Sequence, residues 1–289
     1  MVREADVAPP VVRGTAAWRY FGDFRDALLA GQVLVLQVAH PIVAAGVRDH
    51  SDYREDPWAR LMRTVASLSI YVYGGTKGAQ VEAERLRNLH RSFTGTADGR
   101  RYSALDPGAY AWVHATLVMA PVDAQRFFGR PLSTSELDEY YAQMCGIGRI
   151  LGVRERDLPP TWPDFERYYR EMIAGFGPNE TIGTLFETID TVRKPFSRMS
   201  DRRWSRLQKG YSSAQMFLIR ATLPPELRAR LGLQWTAEDA RKFSRFCRVT
   251  RVLGTLVPPP LRTVLMRSVG KLNVWLRAHP WAYRFFVRS

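Results

Sequence analysis

Residues 56–75 read DPWARLMRTVASLSIYVYGG, and this one stretch decides the fold. Asp56 offers a carboxylate to the unpaired N–H groups of a first helical turn, and Pro57 sits where a missing N–H costs nothing. Trp58, Leu61, Met62, Val65, Leu68 and Tyr71 then recur at three-four spacing until Gly74-Gly75 ends the run. That is an amphipathic helix with both ends marked. The same start signal returns at Asp106-Pro107 and opens a helix through Met119, with Tyr110, Val113, His114, Leu117 and Val118 on one face. Ser133 and Glu136 form a capping box for a helix through Ile147.

Working outward, a helix over 24–38 ends at His40-Pro41, because the residue before a proline avoids helical geometry. A helix over 77–93 carries Ala79, Ala83, Leu86, Leu89, His90 and Phe93 on one stripe, and Gly95 with residues 96–101 reads as a loop. Beyond the proline-rich residues 158–163, helices follow over 165–173, 207–222 and 237–253, set off by Pro224-Pro225 and Pro258-Pro259-Pro260. Residues 181–196 hold a β-like run and stay open between helix and strand. The expected fold is all-α, a multi-helix bundle. One domain spans 21–260, preceded by an extension over 1–20 and followed by a segment over 261–289 packed on the same domain.

At 289 residues and 46% hydrophobic content the chain can bury a full core, and 24% charged residues with 12% aromatics is not the composition of a disordered chain. Cys145 and Cys247 are too few for a disulfide framework or a thiolate zinc site. The N-terminal residues contain no continuous apolar run. The most hydrophobic stretch, 32–47, is broken at His40-Pro41 and falls short of the roughly 20 residues that a membrane span needs. A soluble, cytoplasmic protein is expected.

The net charge of +14 rests on 37 arginines and 5 lysines, spread along the chain, against 28 acidic residues. Nucleic acid attracts such a charge, yet no zinc-finger, RNP or glycine-rich phosphate signature accompanies it, and a solvated surface is equally basic; nucleic acid is not the expected partner. Residues 261–289 mix Arg262, Arg267, Lys271, Arg277, Arg284 and Arg288 with Leu265, Val269, Leu272, Trp275, Leu276, Trp281 and Phe285. A basic amphipathic segment of this kind either packs on the core or makes peripheral contact with an anionic membrane.

No nucleophile elbow, phosphate loop, dinucleotide fingerprint or paired-histidine zinc motif is present. What remains is polar residues on apolar helix stripes. Arg60 and Thr64 share a face, with Arg63 one step round, and this cluster meets either solvent or an internal site. His90 is either a core histidine bonded to a carbonyl or a ligand to a metal or haem iron. Arg87, one turn earlier, suits a carboxylate or a propionate. His114 carries the same ambiguity as His90, and His40 stands at a helix end where free carbonyls await a donor. Three histidines on helical faces suit a bundle that holds a cofactor between its elements. A di-iron carboxylate site would need Glu-x-x-His pairs, and Glu84 with His90 has the wrong separation.

The runs QVAHPIVAAGVRDHSDYREDPWARLMRT (37–64), RLRNLH (85–90) and YSALDPGAYAWVHATLV (102–118) resemble the rubber oxygenase and mycophenolic-pathway oxygenase family. A weaker likeness continues through YYAQMCGIGRILGV, LPPTWPDFERYYREM and LPPELRARLGLQWT, so it covers roughly residues 20 to 260 in order. The resemblance implies an all-helical domain binding one haem b and using dioxygen on an apolar small-molecule substrate. It makes His90, in Arg87-Asn88-Leu89-His90, the axial iron ligand. The family's distal Arg-x-x-Lys-Thr reads Arg60-Leu61-Met62-Arg63-Thr64 here, so Arg63 replaces the lysine, and an open or water-bound sixth position follows. Arg60 and Arg63 would give hydrogen bonds on the distal side or to propionates, and Thr64 a further one. The family's distal glutamate has no counterpart over 32–48, where His40 is the nearest polar residue; His40 and His114 would support the site or handle protons. A bulky extracellular polymer is not the expected substrate. Two other readings stand beside this oxygenase: a haem carrier or sensor without turnover, and a cofactor-free basic helical protein that binds membrane or nucleic acid.

Overall fold

In a computed structural model, which describes residues 11–97, 99–195 and 199–278, helices begin where the capping signals place them. Asp56 accepts a hydrogen bond from the Ala59 N–H at 3.0 Å and opens α4 (Pro57–Tyr73); Asp106 does the same for Ala109 at 2.9 Å and opens α6 (Pro107–Phe128). Ser133 and Glu136 satisfy each other's backbone N–H groups at the head of α7 (Thr134–Leu151). The chain enters through α1 (Ala16–Tyr20) and a 3-10 turn, then α2 (Ala30–Ala39) and α3 (Pro41–His50), which meet at His40 with a bend of 105°. Between α4 and α6 come α5 (Gly75–Arg91) and a hairpin of β1 (Thr94–Ala97) and β2 (Arg100–Ser103). After α7 follow α8 (Trp162–Ala174), α9 (Glu180–Asp190), α10 (Asp201–Thr222), α11 (Pro225–Arg230), α12 (Ala237–Thr255), α13 (Pro259–Arg262) and α14 (Val264–Ala278).

The core gathers round α6. Trp112 is fully buried, donates its indole N–H to the Leu36 carbonyl at 2.7 Å, and lies between Tyr169 and Phe176. Across the helix Tyr140 donates to the Val118 carbonyl at 3.0 Å. Ala16 and Ala17 of α1 are fully buried, and Gln143 accepts the Ala17 N–H, so residues 16–20 pack within the domain. α14 lies along α4: Ser69 donates to the Met266 carbonyl at 2.6 Å, and Gly270 leaves the room that Ser69 fills. Trp281, Arg284, Phe285 and Arg288 lie outside the described residues.

Three expectations change. α6 does not stop near Met119 but continues through Pro121 to Phe128. A proline inside a helix costs about 3 kcal/mol, and burial of Val118, Met119, Val122, Ala124 and Phe128 on both sides of it outweighs that. Thr96, Ala97, Arg100 and Arg101 are not loop residues but strand residues of the hairpin. Tyr102 pins it to α3 by donating to Asp49 at 2.6 Å, and its ring lies where a side chain on Gly95 would be. Of the open segment over 181–196, the part up to Asp190 resolves as a helix, because Asn179 caps it by accepting the Ile182 N–H, and residues 191–195 are neither helix nor strand. Among the described residues no single helix is long and apolar enough to cross a membrane.

Candidate functional site

α5 delivers His90 in its last turn. Phe93 and Tyr110 wall the imidazole, with ring centroids at 5.6 and 6.2 Å. Phe93 is itself stacked on His50 at 4.8 Å, and His50 Nε2 meets the Thr94 carbonyl oxygen at 3.1 Å. His90 is half-buried; its Nδ1 is closed to water without a hydrogen-bond partner. Burial, then the positive charge of Arg85, pushes its pKa below the ordinary value, so at neutral pH the ring is uncharged.

The Tyr71 hydroxyl, His40 Nδ1 and His114 Nδ1 are likewise buried without hydrogen-bond partners. Tyr71 lies within electrostatic reach of Tyr110, Arg85 and Arg87, and its pKa is raised by burial first and Tyr110 second. His40 sits edge-on to Phe176 at 6.1 Å, and its pKa is lowered by burial and partly restored by Asp106, the cap of α6. His90 thus reaches Tyr110 in the first turn of α6 by ring contact, and Tyr71 and His40 lie within electrostatic reach of Tyr110 and of the cap Asp106, respectively. Sequence reasoning passed over Tyr71 and counted it as stripe; a hydroxyl on an otherwise apolar face was the available signal.

The distal residues are less gathered. Arg60 is half-buried, its Nε donates to the Ser51 hydroxyl at 2.7 Å, and burial lowers its pKa. Arg63 is exposed and pairs with both carboxylate oxygens of Asp52 at 2.6 Å. The Thr64 hydroxyl is exposed and donates to the Arg60 carbonyl. Solvent, not an interior, meets Arg63 and Thr64. Leu89 also departs from its stripe and is 44% exposed. Arg87 donates to the Ile150 and Leu151 carbonyls at 3.1 and 3.4 Å, tying the end of α5 to the end of α7.

His114 behaves as a core histidine. It is buried, its Nε2 lies 3.0 Å from the Met144 carbonyl oxygen as a donor would, and its ring fills the space that Gly148 leaves. Burial lowers its pKa to about 4. Between the unfolded value of 6.5 and this folded value, the unfolded chain binds a proton that the native chain refuses. Stability is therefore lost as pH falls from 6.5 to 4, by about 3 kcal/mol from this residue. Urea midpoints at pH 7 and pH 4 should differ accordingly, and His114→Leu should flatten the dependence; an unchanged slope would exclude His114 as its source.

An open cleft of about 590 Å³ lies at the start of α4, lined by Glu55, Trp58, Arg193, Lys194, Trp204 and Gln208 among others; none of the three candidate histidines borders it. Among the described residues no three His, Cys, Asp or Glu side chains come together as a metal-ligand set.

Similarity to known proteins adds to this geometry. The chain is 25% identical over 236 residues to Uncharacterized protein Mb2261 of Mycobacterium bovis and to Uncharacterized protein Rv2237 of Mycobacterium tuberculosis, covering 80% of this chain and 89% of each relative. No solved structure matches it. Residues 18–252 match the family described as ER-bound oxygenase mpaB/B'/Rubber oxygenase, catalytic domain, and the chain belongs to that oxygenase family.

Proposed function

We propose that this protein is a haem b-dependent oxygenase acting with dioxygen on a small or medium apolar substrate, and that His90 is the protein's ligand to the iron. One observation carries the proposal: a neutral imidazole in a helical seam with a buried, unpartnered ring nitrogen. The donor set fits the group. A histidine that belongs to no group of three His, Cys, Asp or Glu ligands among the described residues would hold iron where the cofactor brings the other ligands, as a porphyrin does. The haem supplies the redox chemistry when bound.

The chain's own residues do the rest. Arg87 fixes the turn of helix that carries His90 by clamping α5 to α7, and its other donors would serve a propionate. Phe93 and Tyr110 hold the imidazole plane and exclude water. Arg60, half-buried and positively charged, would offer hydrogen-bond donors to the bound group or to dioxygen, with Arg63 and Thr64 at the solvent edge. His40, uncharged at neutral pH, would accept a proton, and His114 supports α6 against α7. Peripheral contact with a membrane through the C-terminal segment belongs to the same reading.

The test is an absorption spectrum of the purified, haem-supplemented protein, oxidised and reduced, followed by dioxygen uptake with isoprenoid and other apolar compounds against a haem-only control. Stoichiometric binding with uptake above the control is expected. Binding without uptake would favour a carrier or sensor, a reading that the commitment of Arg63 to Asp52 supports. A protein that stays colourless would overturn both.

A further inference from the structure

Nine of the sixteen large apolar side chains exposed among the described residues fall between positions 249 and 275. Val249, Val252, Leu253 and Leu256, each more than half exposed, follow three-four spacing along the last two turns of α12, so they form one bare stripe. Leu265, Leu272 and Trp275 form a second on α14, with Leu261 on α13 beside it. The turn at residues 22–25 joins the two: Gly22 packs on Met266 of α14, while Gly254 of α12 packs against Arg25 and Phe24, whose ring is also exposed.

Charge supplies the second observation. The arginines are dispersed, but the acids are not: none of the 28 lies beyond Asp239, whereas eleven basic residues do. The last fifty residues therefore carry +11 of the net +14. Arg245 and Arg248, beside the α12 stripe, and Lys271, beside that of α14, are exposed.

We infer that the bare surface of α12, α13 and α14 docks the protein on an anionic lipid surface. A second copy would set one strongly basic surface against another and be repelled. Nucleic acid would match the charge and leave the bare aliphatic stripes in water. An anionic bilayer meets both features at once, with phosphates against the arginines and the apolar side chains and Trp275 in the interfacial layer. The inference extends the membrane contact proposed above to a defined face and one class of lipid. It rests on that contact and not on the haem, so the two fail separately.

The full-length protein should be sedimented with vesicles of phosphatidylcholine alone and of phosphatidylcholine mixed with phosphatidylglycerol. Binding at least about tenfold tighter to the anionic vesicles is expected, weakening as salt rises. The paired change Val252→Asp with Leu256→Asp, at exposed positions, should reduce it about tenfold with the melting temperature unchanged, and Arg245→Glu with Arg248→Glu should remove the lipid preference. Equal or absent binding to both vesicles overturns the proposal. So does a dimer that the aspartate changes dissociate, or DNA binding that they leave intact.

Discussion

His90→Ala will leave a folded protein that no longer retains haem, with an affinity lowered by more than about 100-fold. Loss of a group that merely orients a metal ligand already costs about 10–100-fold, and here the ligand itself goes. The cost to the fold is small because the imidazole is half-buried and its Nδ1 forms no hydrogen bond that the substitution would break. His114→Ala should do the reverse. That ring is buried, bonds the Met144 carbonyl and fills the space at Gly148, so its loss opens a cavity, lowers stability by about 2–4 kcal/mol and leaves haem content intact. A third variant separates ligation from general disruption: His90→Gly should recover the haem spectrum when free imidazole is added. A His90→Ala protein with full haem content and an unchanged Soret band would end the assignment, whatever the activity.

The contrast between these two histidines also marks how far the sequence could be read. Both sit on apolar helical stripes at similar spacing, and nothing along the chain distinguishes them. What separates them is Gly148 and the Met144 carbonyl on α7, which only the packing of α6 against α7 brings to His114. Arg87 is a similar case: its carbonyl partners on α7 lie more than sixty positions away. Local signals were legible. The caps at Asp56, Asp106 and Ser133 mark helix starts in the right places because they act within one turn. The end of α6 lies beyond the expected Met119 because the local cost of Pro121 is overridden by burial that the whole core supplies. Two signals were present and unused: Asn179 ahead of a β-branched run, and the absence of acids beyond Asp239, hidden when arginines alone were followed.

The largest loss of stability should come from Asp23→Ala. Asp23 and Arg25 are 2% and 3% exposed, and the guanidinium meets both carboxylate oxygens, Nε to Oδ1 at 2.8 Å and Nη2 to Oδ2 at 2.6 Å. Asp23 also caps the 3-10 turn by accepting the Arg25 N–H at 3.0 Å. Its removal strands a charge that cannot deprotonate, at a cost of about 3–5 kcal/mol. Against a total of about 5–15 kcal/mol that is enough to leave much of the protein unfolded at modest urea. Arg25→Met leaves the opposite charge unpaired and should cost a similar amount. The two changes together should cost less than the sum of the singles, because an apolar replacement of both partners ends the desolvation penalty. Asp26 limits the size of the effect. Its own pKa is raised by burial first and by Asp23 second, so it ionises more readily once Asp23 is gone and takes over part of the pairing. Asp23→Ala should therefore be less destabilised at high pH than at low pH, and adding Asp26→Asn should remove that difference. Urea midpoints for the four variants test the whole scheme. A loss below about 1 kcal/mol for Asp23→Ala would mean that water reaches Arg25 and that the pair is not buried as described.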